Sequence, residues 1–269
     1  MSEIKTNPDY IIEFKKHKNL NNVTLINQIN NKKSSVIWIV SHCETSSRRE
    51  SYIKEMMKYI QIDIYGNCGS YFKNSKPIPC SNDDTFQTCF SQLINSYRFY
   101  LAFENSLCDD YITEKYWKFY SSSMIFNINI VNVVRGAKRN QYEKLTISNS
   151  FIFADDFETP KLLAKYLLEI ISNSNMYIKY FEWKFDLYNE LNKNSSNIEN
   201  LSEKKILQYD IQAPLCYLCS MLHNETFMNS HSNKIWKISE WFSVENSCWD
   251  FRETRRIFFW LAQSAGYCF

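Results

Sequence analysis

Apolar and polar positions along the middle of this chain switch repeatedly between two rhythms. Short apolar runs at residues 36–40, 61–65, 99–103, 128–134 and 150–154 read as strands, and the intervening 48–60, 85–96, 111–120 and 160–172 carry apolar side chains at helical spacing. The strand runs are rich in Val, Ile, Phe and Tyr with few polar positions, as in strands buried on both faces. Their alternation with helices predicts an α/β fold, a parallel sheet doubly wound by helices on both faces. In such a sheet ligands bind outside the carboxyl ends of the strands, so chemistry is expected in the turns after Val40 and Phe103. Residues 1–32 are polar, rich in Asn and Lys and weakly patterned, and read as a linker or a remnant of an N-terminal domain. The organised unit occupies 33–190, and after a Ser/Asn-rich break 191–269 reads as a helical tail carrying Cys and Trp.

Within this pattern, FYLAFENSLCDDYITEK (residues 99–115) runs from a buried strand through a polar turn into a helix. Asp109 and Asp110 are placed to cap that helix, and Tyr111, Glu114 and Lys115, at i, i+3 and i+4, then share one helical face. A helix N-terminus favours phosphate through its free N–H groups, a lysine in that turn adds a point charge for a diphosphate, and the adjacent glutamate can accept bonds from sugar hydroxyls. The plain alternative is a solvated ion pair.

The stretch resembles the signature of the α1,3-fucosyltransferases, which move fucose from GDP-fucose onto glycans. VIWIVSHC (36–43), SSRRESY (46–52) and DIYGNCG (63–69) are similar to that family's first strand, arginine-bearing helix and next strand. SFIFADDF (150–157), LLAKYL (162–167) and YFEWK (180–184) follow in the family's order, so the resemblance covers roughly 33–190 and, more loosely, the tail to about 250. It implies the Rossmann-like, GDP-fucose-binding C-terminal half of a GT-B glycosyltransferase that inverts the sugar linkage. It also implies residence in the Golgi lumen, a glycan or glycoprotein acceptor, and no obligatory cofactor, with Mn or Mg at most stimulatory. By the same resemblance Arg48 contacts the diphosphate, Lys115 makes the second phosphate contact, Glu114 meets the ribose hydroxyls, and Asn105 and Tyr111 make polar contacts to the nucleotide-sugar. Two fixed cations suit the reaction, because GDP gains charge as its bond to fucose breaks. Glu104 either joins this site or is structural, bonding backbone at the strand end; Arg48, apart from the resemblance, reads as a surface arginine.

The family's small-residue run Gly-x-Val-Pro-Val-Val-x-Gly stands here as NIVNVVRG (129–136), with Asn129 and Asn132 for the Gly and Pro, so a different backbone shape is expected beside the sugar. Asp155 and Asp156 invite a metal reading, but Thr159 and Pro160 follow as N-cap and first helical residue, which makes helix-start chemistry the stronger reading. An inverting transfer needs a general base, which the resemblance places in an N-terminal acceptor domain that is not recognisable here; Glu3, Asp9 and Glu13 are merely available. Two functions therefore stand side by side: a fucosyltransferase, of the type acting on N-glycan cores, and a non-catalytic GDP-fucose-binding module.

Composition adjusts this picture only slightly. Hydrophobic residues at 45%, with 16% aromatic, supply a sizeable core, and 31 basic against 29 acidic residues, a net charge of +2, give no reason to expect nucleic acid or an anionic membrane as partner. No apolar run is long enough to span a bilayer, 125–134 and 257–261 being short or interrupted, and no signal anchor is visible. Sequons at Asn22, Asn194, Asn200 and Asn224 suit a luminal protein but are as frequent as this Asn-rich composition produces by chance. Nine Cys admit disulfides, zinc or inert thiols; a zinc site built on Cys216, Cys219 and His223 lacks a fourth ligand nearby in sequence. The resemblance favours disulfides, since its invertebrate and plant members carry a C-x-x-C near the C-terminus, with Cys43, Cys68, Cys80, Cys89, Cys108, Cys216, Cys219 and Cys248 as candidates.

Overall fold

A computed structural model describes residues 26–28, 30–32, 34–81, 86–120, 124, 128–193, 223–231 and 247–249. Glu3, Asp9, Glu13, the sequons at Asn22, Asn194 and Asn200, and the Cys216 and Cys219 pair lie outside the described residues. The five apolar runs form one parallel sheet of β1 (Ser34–Ile39), β2 (Ile62–Tyr65), β3 (Tyr97–Phe103), β4 (Val131–Arg135) and β5 (Phe151–Phe153). Their order across the sheet is β2-β1-β3-β4-β5. Helix α1 (Arg49–Met56) connects β1 to β2, and α2 (Phe86–Asn95) connects β2 to β3. The link from β3 to β4 holds α3 (Glu114–Trp117) and a 3-10 turn, Lys118–Tyr120, and α4 (Arg139–Leu145) joins β4 to β5. Beyond β5 come α5 (Pro160–Ser172), α6 (Ser174–Ile178), α7 (Glu182–Lys193) and α8 (Glu225–His231). The α4 segment is missing from the sequence reading because RNQYEKL buries only Tyr142 and so shows no apolar stripe.

Alternation along each strand sends side chains to two separate cores. Val36, Trp38, Phe99, Leu101, Phe103, Val133 and Ile152 pack with Ile53 and Met56 of α1 and Leu163 and Leu167 of α5. Ile37, Tyr100, Ala102 and Val134 face the other way, against Phe90 and Ile94 of α2, Tyr116 of α3 and Tyr142 of α4. The start of α5 is as its sequence predicts: Thr159 accepts a bond from the Leu162 backbone N–H and Pro160 occupies the first turn.

At Asn132, which stands where the resembled family has Pro, β4 is a regular strand. Asn132 pairs in parallel register with Tyr100 on one side and Phe151 on the other, and its side-chain amide donates to the Tyr116 carbonyl. The strand does begin later than its apolar run, because the backbone before it is satisfied by side chains. The Asn129 N–H donates to Asn95 Oδ1, and Lys184 Nζ donates to the Ile128 carbonyl and to Asn129 Oδ1. At the same amino-terminal end of the sheet Lys32 Nζ donates to the Asn95 and Tyr97 carbonyls. Lys32 and Lys184 are only 7% and 5% exposed. Burial drives each ammonium down to about 7, aided at Lys32 by the charges of Lys184 and Arg98.

Three disulfides bear out the disulfide reading for six of the eight candidates: Cys43–Cys68, Cys80–Cys89 and Cys108–Cys248. The first clips together the loops leaving β1 and β2. The third brings the 247–249 segment beside the turn after β3, where the Asp109 N–H donates to the Ser247 carbonyl and the Trp249 N–H to the Leu107 carbonyl.

Candidate functional site

The carboxyl ends of β1, β3 and β4 are sewn together by groups that the intervening loops supply. Ser47 donates its N–H to the Asn105 carbonyl (3.1 Å) and its hydroxyl to the Glu104 carbonyl (2.8 Å). Arg135 at the end of β4 donates to the Ser47 carbonyl (2.9 Å) and pairs with Asp155 (2.9 Å). The loop after β1 is thereby held against the turn after β3, which sets Arg48 on the same edge of the sheet as Asn105.

The two arginines of the pair have different tasks. Arg49 is buried, donating to the Phe103 carbonyl (2.6 Å) and the His42 carbonyl (2.7 Å), and serves as a staple between strand ends. Arg48 is half-buried and stands just before α1 with φ of 49°, outside the helix that the run 48–60 predicts to include it. That left-handed residue turns the chain from loop to helix.

The turn after β3 corrects the sequence reading in one respect and completes it in another. Asp109 and Asp110 do not cap the helix: Asp110 has φ of 57°, Asp109 pairs with Lys138 at 2.7 Å, and α3 begins only at Glu114, with Thr113 as its N-cap. Tyr111 therefore precedes the helix and shares no helical face with Glu114 and Lys115; it reaches the site by donating its hydroxyl to Asn105 Oδ1 at 2.9 Å. Burial, then the Glu104 charge, raises the Tyr111 phenol above its ordinary value, which keeps it a donor. A four-residue helix also has little macrodipole, so the side chains carry most of the site's positive charge.

Glu104 is structural in its contacts. It accepts from the Thr113 N–H (2.8 Å) and pairs with Lys115 (3.0 Å). Lys115 Nζ also meets Glu114 at 3.1 Å and the Thr113 hydroxyl at 2.9 Å. Burial works to lower the Lys115 ammonium, yet the Glu104 and Glu114 carboxylates hold it above the ordinary lysine value. Glu114, with its side chain 73% exposed, is partly desolvated but is held below the usual carboxylate range by its bonds from Lys115 and Thr113. Both therefore stay charged at neutral pH.

Asp155 and Asp156 lie in a 3-10 turn ahead of α5 rather than at its start, and they pair with Arg135 and Arg139. Among the described residues no group of three or more His, Cys, Asp or Glu is arranged to hold a metal ion, and no helix is long and apolar enough to cross a membrane. Sequence reasoning missed Thr113, Arg135 and Lys118; Lys118 Nζ lies 4.2 Å from the centre of the Tyr100 ring, and burial lowers its ammonium to about 8. A cleft of about 520 Å³ runs along the β5 edge between Arg139, Asp156, Tyr166 and Tyr180, and includes none of the predicted site residues.

A parallel sheet covered on both faces, with an arginine loop, an acid–lysine pair and a phenol at its carboxyl edge, is the layout of an α/β domain, a class in which ligands bind outside the carboxyl ends of the strands. The chain belongs to glycosyltransferase family 10, the fucosyltransferases, whose C-terminal family model matches residues 29–241. It is 39% identical over 160 residues to the α-(1,3)-fucosyltransferase fut-1 of Caenorhabditis elegans, covering 60% of this chain and 33% of that protein. It is 42% identical over 159 residues to glycoprotein 3-α-L-fucosyltransferase A of Drosophila melanogaster, covering 59% and 29%. A crystal structure of an α1,3-fucosyltransferase with GDP aligns at 19% identity over 79% of this chain and 54% of that one, with a TM-score of 0.45. The chain thus spans about a third of the length of these curated relatives.

Proposed function

We propose that this chain carries the donor half of an α1,3-fucosyltransferase. It binds GDP-fucose and takes part in moving L-fucose, with inversion, to a GlcNAc hydroxyl of a glycoprotein glycan in the Golgi lumen. The observation that carries this reading is the meeting of Arg48, Asn105, Tyr111, Glu114 and Lys115 on one sheet edge in a member of a fucosyltransferase family. Arg48 and Lys115 flank the diphosphate and stabilise the charge that GDP gains as the bond to fucose breaks. Glu114 accepts from the ribose hydroxyls, and Tyr111 and Asn105 orient the nucleotide-sugar. The carboxylate that deprotonates the acceptor belongs to the acceptor-binding half, as none of the described residues is assigned that task.

Calorimetric titration with GDP-fucose, GDP and GDP-mannose tests donor binding, and transfer of radiolabelled fucose to N-glycan and N-acetyllactosamine acceptors tests catalysis. Donor binding without product above a heat-killed control would leave a GDP-fucose-binding module. Lys115→Ala is expected to weaken GDP binding by about 1–3 kcal/mol through loss of a charge-assisted contact. Unchanged affinity in the same titration would remove Lys115 from the site.

A further inference from the structure

Glu104 joins the two cation-bearing loops through separate parts of itself. Its carboxylate is 0% exposed, and one oxygen accepts from the Thr113 N–H at 2.8 Å while the other lies 3.0 Å from Lys115 Nζ. The Thr113 hydroxyl lies 2.9 and 2.8 Å from the two oxygens and itself accepts from Lys115 Nζ. The main chain of Glu104 does the rest. Its N–H donates to the Arg135 carbonyl (2.8 Å), and its carbonyl accepts the hydroxyl of Ser47, the residue before Arg48 (2.8 Å). Space for this side chain depends on Gly136, where a Cβ would lie 2.5 Å from Glu104 Cγ.

We propose that Glu104 is the positioning residue of the donor site, holding the Lys115 ammonium with its carboxylate and the Arg48 loop with its backbone, so that one residue sets both cations. This rests on the reading of Arg48 and Lys115 as diphosphate contacts. The three protons of the Lys115 ammonium face Glu104, Thr113 and Glu114, and the side chains of the two acids are 0% and 73% exposed. A buried carboxylate cannot give up its counter-ion without a large desolvation cost, whereas an exposed one exchanges with water freely. An incoming phosphate therefore displaces the Glu114 arm and leaves the Glu104 arm in place. Lys115 keeps its position, and Glu114 becomes available to the ribose.

The test compares the parent chain with Glu104→Gln, which keeps the shape and removes the charge. Two quantities are followed: GDP affinity by calorimetry, and the Lys115 titration by carbon-13 NMR of the chain carrying lysine labelled at Cε, assigned with Lys115→Arg. The variant is expected to bind GDP about tenfold or more weakly. Its Lys115 is expected to titrate at least about one pH unit lower. A merely structural Glu104 would lower the melting temperature and leave both values of the folded protein unchanged; that result overturns the proposal. If Glu104→Gln does not fold, Gly136→Ala, which retains the carboxylate but drives a methyl group against it, must show both losses, and parental values there overturn it equally. A parent that binds no GDP ends the diphosphate reading and the positioning role together, whereas a variant that matches a GDP-binding parent ends the role of Glu104 alone.

Discussion

Unfolding free energy is expected to rise as pH is taken from about 7 to about 9.5, by roughly 2–5 kcal/mol in all. The cause is the pair of buried lysines at the amino end of the sheet. Lys32 and Lys184 release their protons at about 7 in the folded chain, against 10.5 for an ordinary lysine. Between those values the unfolded chain binds more protons than the folded one, so each step up in pH favours folding; below about 7 the penalty is complete and the curve flattens. Lys118, lowered to about 8, adds in the same direction. Tyr97, Tyr100 and Tyr177, their phenols raised by burial, reverse the trend above about pH 10, where the unfolded chain ionises its tyrosines first. Urea titrations at a series of pH values measure the effect, and a flat or falling stability across this window would contradict it. Lys184→Met should flatten the rise, while leaving the Ile128 carbonyl and Asn129 Oδ1 without the donor that satisfies them.

Gly66→Ala is expected to destabilise the fold by about 3 kcal/mol or more, combining left-handed strain with a backbone clash. Gly66 has φ of 116°, and a Cβ there would lie 2.1 Å from the Val40 carbonyl oxygen. Relief by local movement is blocked from both sides, since the Val40 N–H donates to Tyr65 and the Gly66 N–H donates to the Lys76 carbonyl. Val40 is also where the arginine loop leaves the sheet, so any surviving folded molecules should show weakened GDP binding as well. A loss under about 1 kcal/mol in urea denaturation would mean that the corner yields more easily than its hydrogen bonds imply.

What the sequence disclosed of this fold is what local periodicity can encode. Each strand is a short run of apolar residues, and α5 declares its start through Thr159 and Pro160, so these could be read in order. The residues of the proposed site, Arg48, Asn105, Tyr111, Glu114 and Lys115, lie within two short motifs, so its candidates could be named from sequence. Its geometry could not. The placement of Tyr111 depends on the left-handed Asp110, and Asp is a residue that tolerates that conformation without announcing it. The division of labour between Arg48 and Arg49 depends in part on the Phe103 carbonyl, 54 positions away along the chain. The service of Glu104 as a counter-ion becomes visible only once Thr113 and Gly136 surround it. The buried lysines follow the same rule, since nothing near Lys32 or Lys184 in sequence marks them as interior.

The bond between Cys108 and Cys248 closes a covalent ring across a separation of 140 positions. A single protease cut anywhere between those cysteines opens the ring without releasing a fragment. A nicked molecule would therefore keep its full mass in denaturant and come apart into two pieces only when a reductant is added. Chain integrity judged without reducing agent would overstate how much of this protein is uncut, and the comparison of reduced and unreduced samples reads the bond directly.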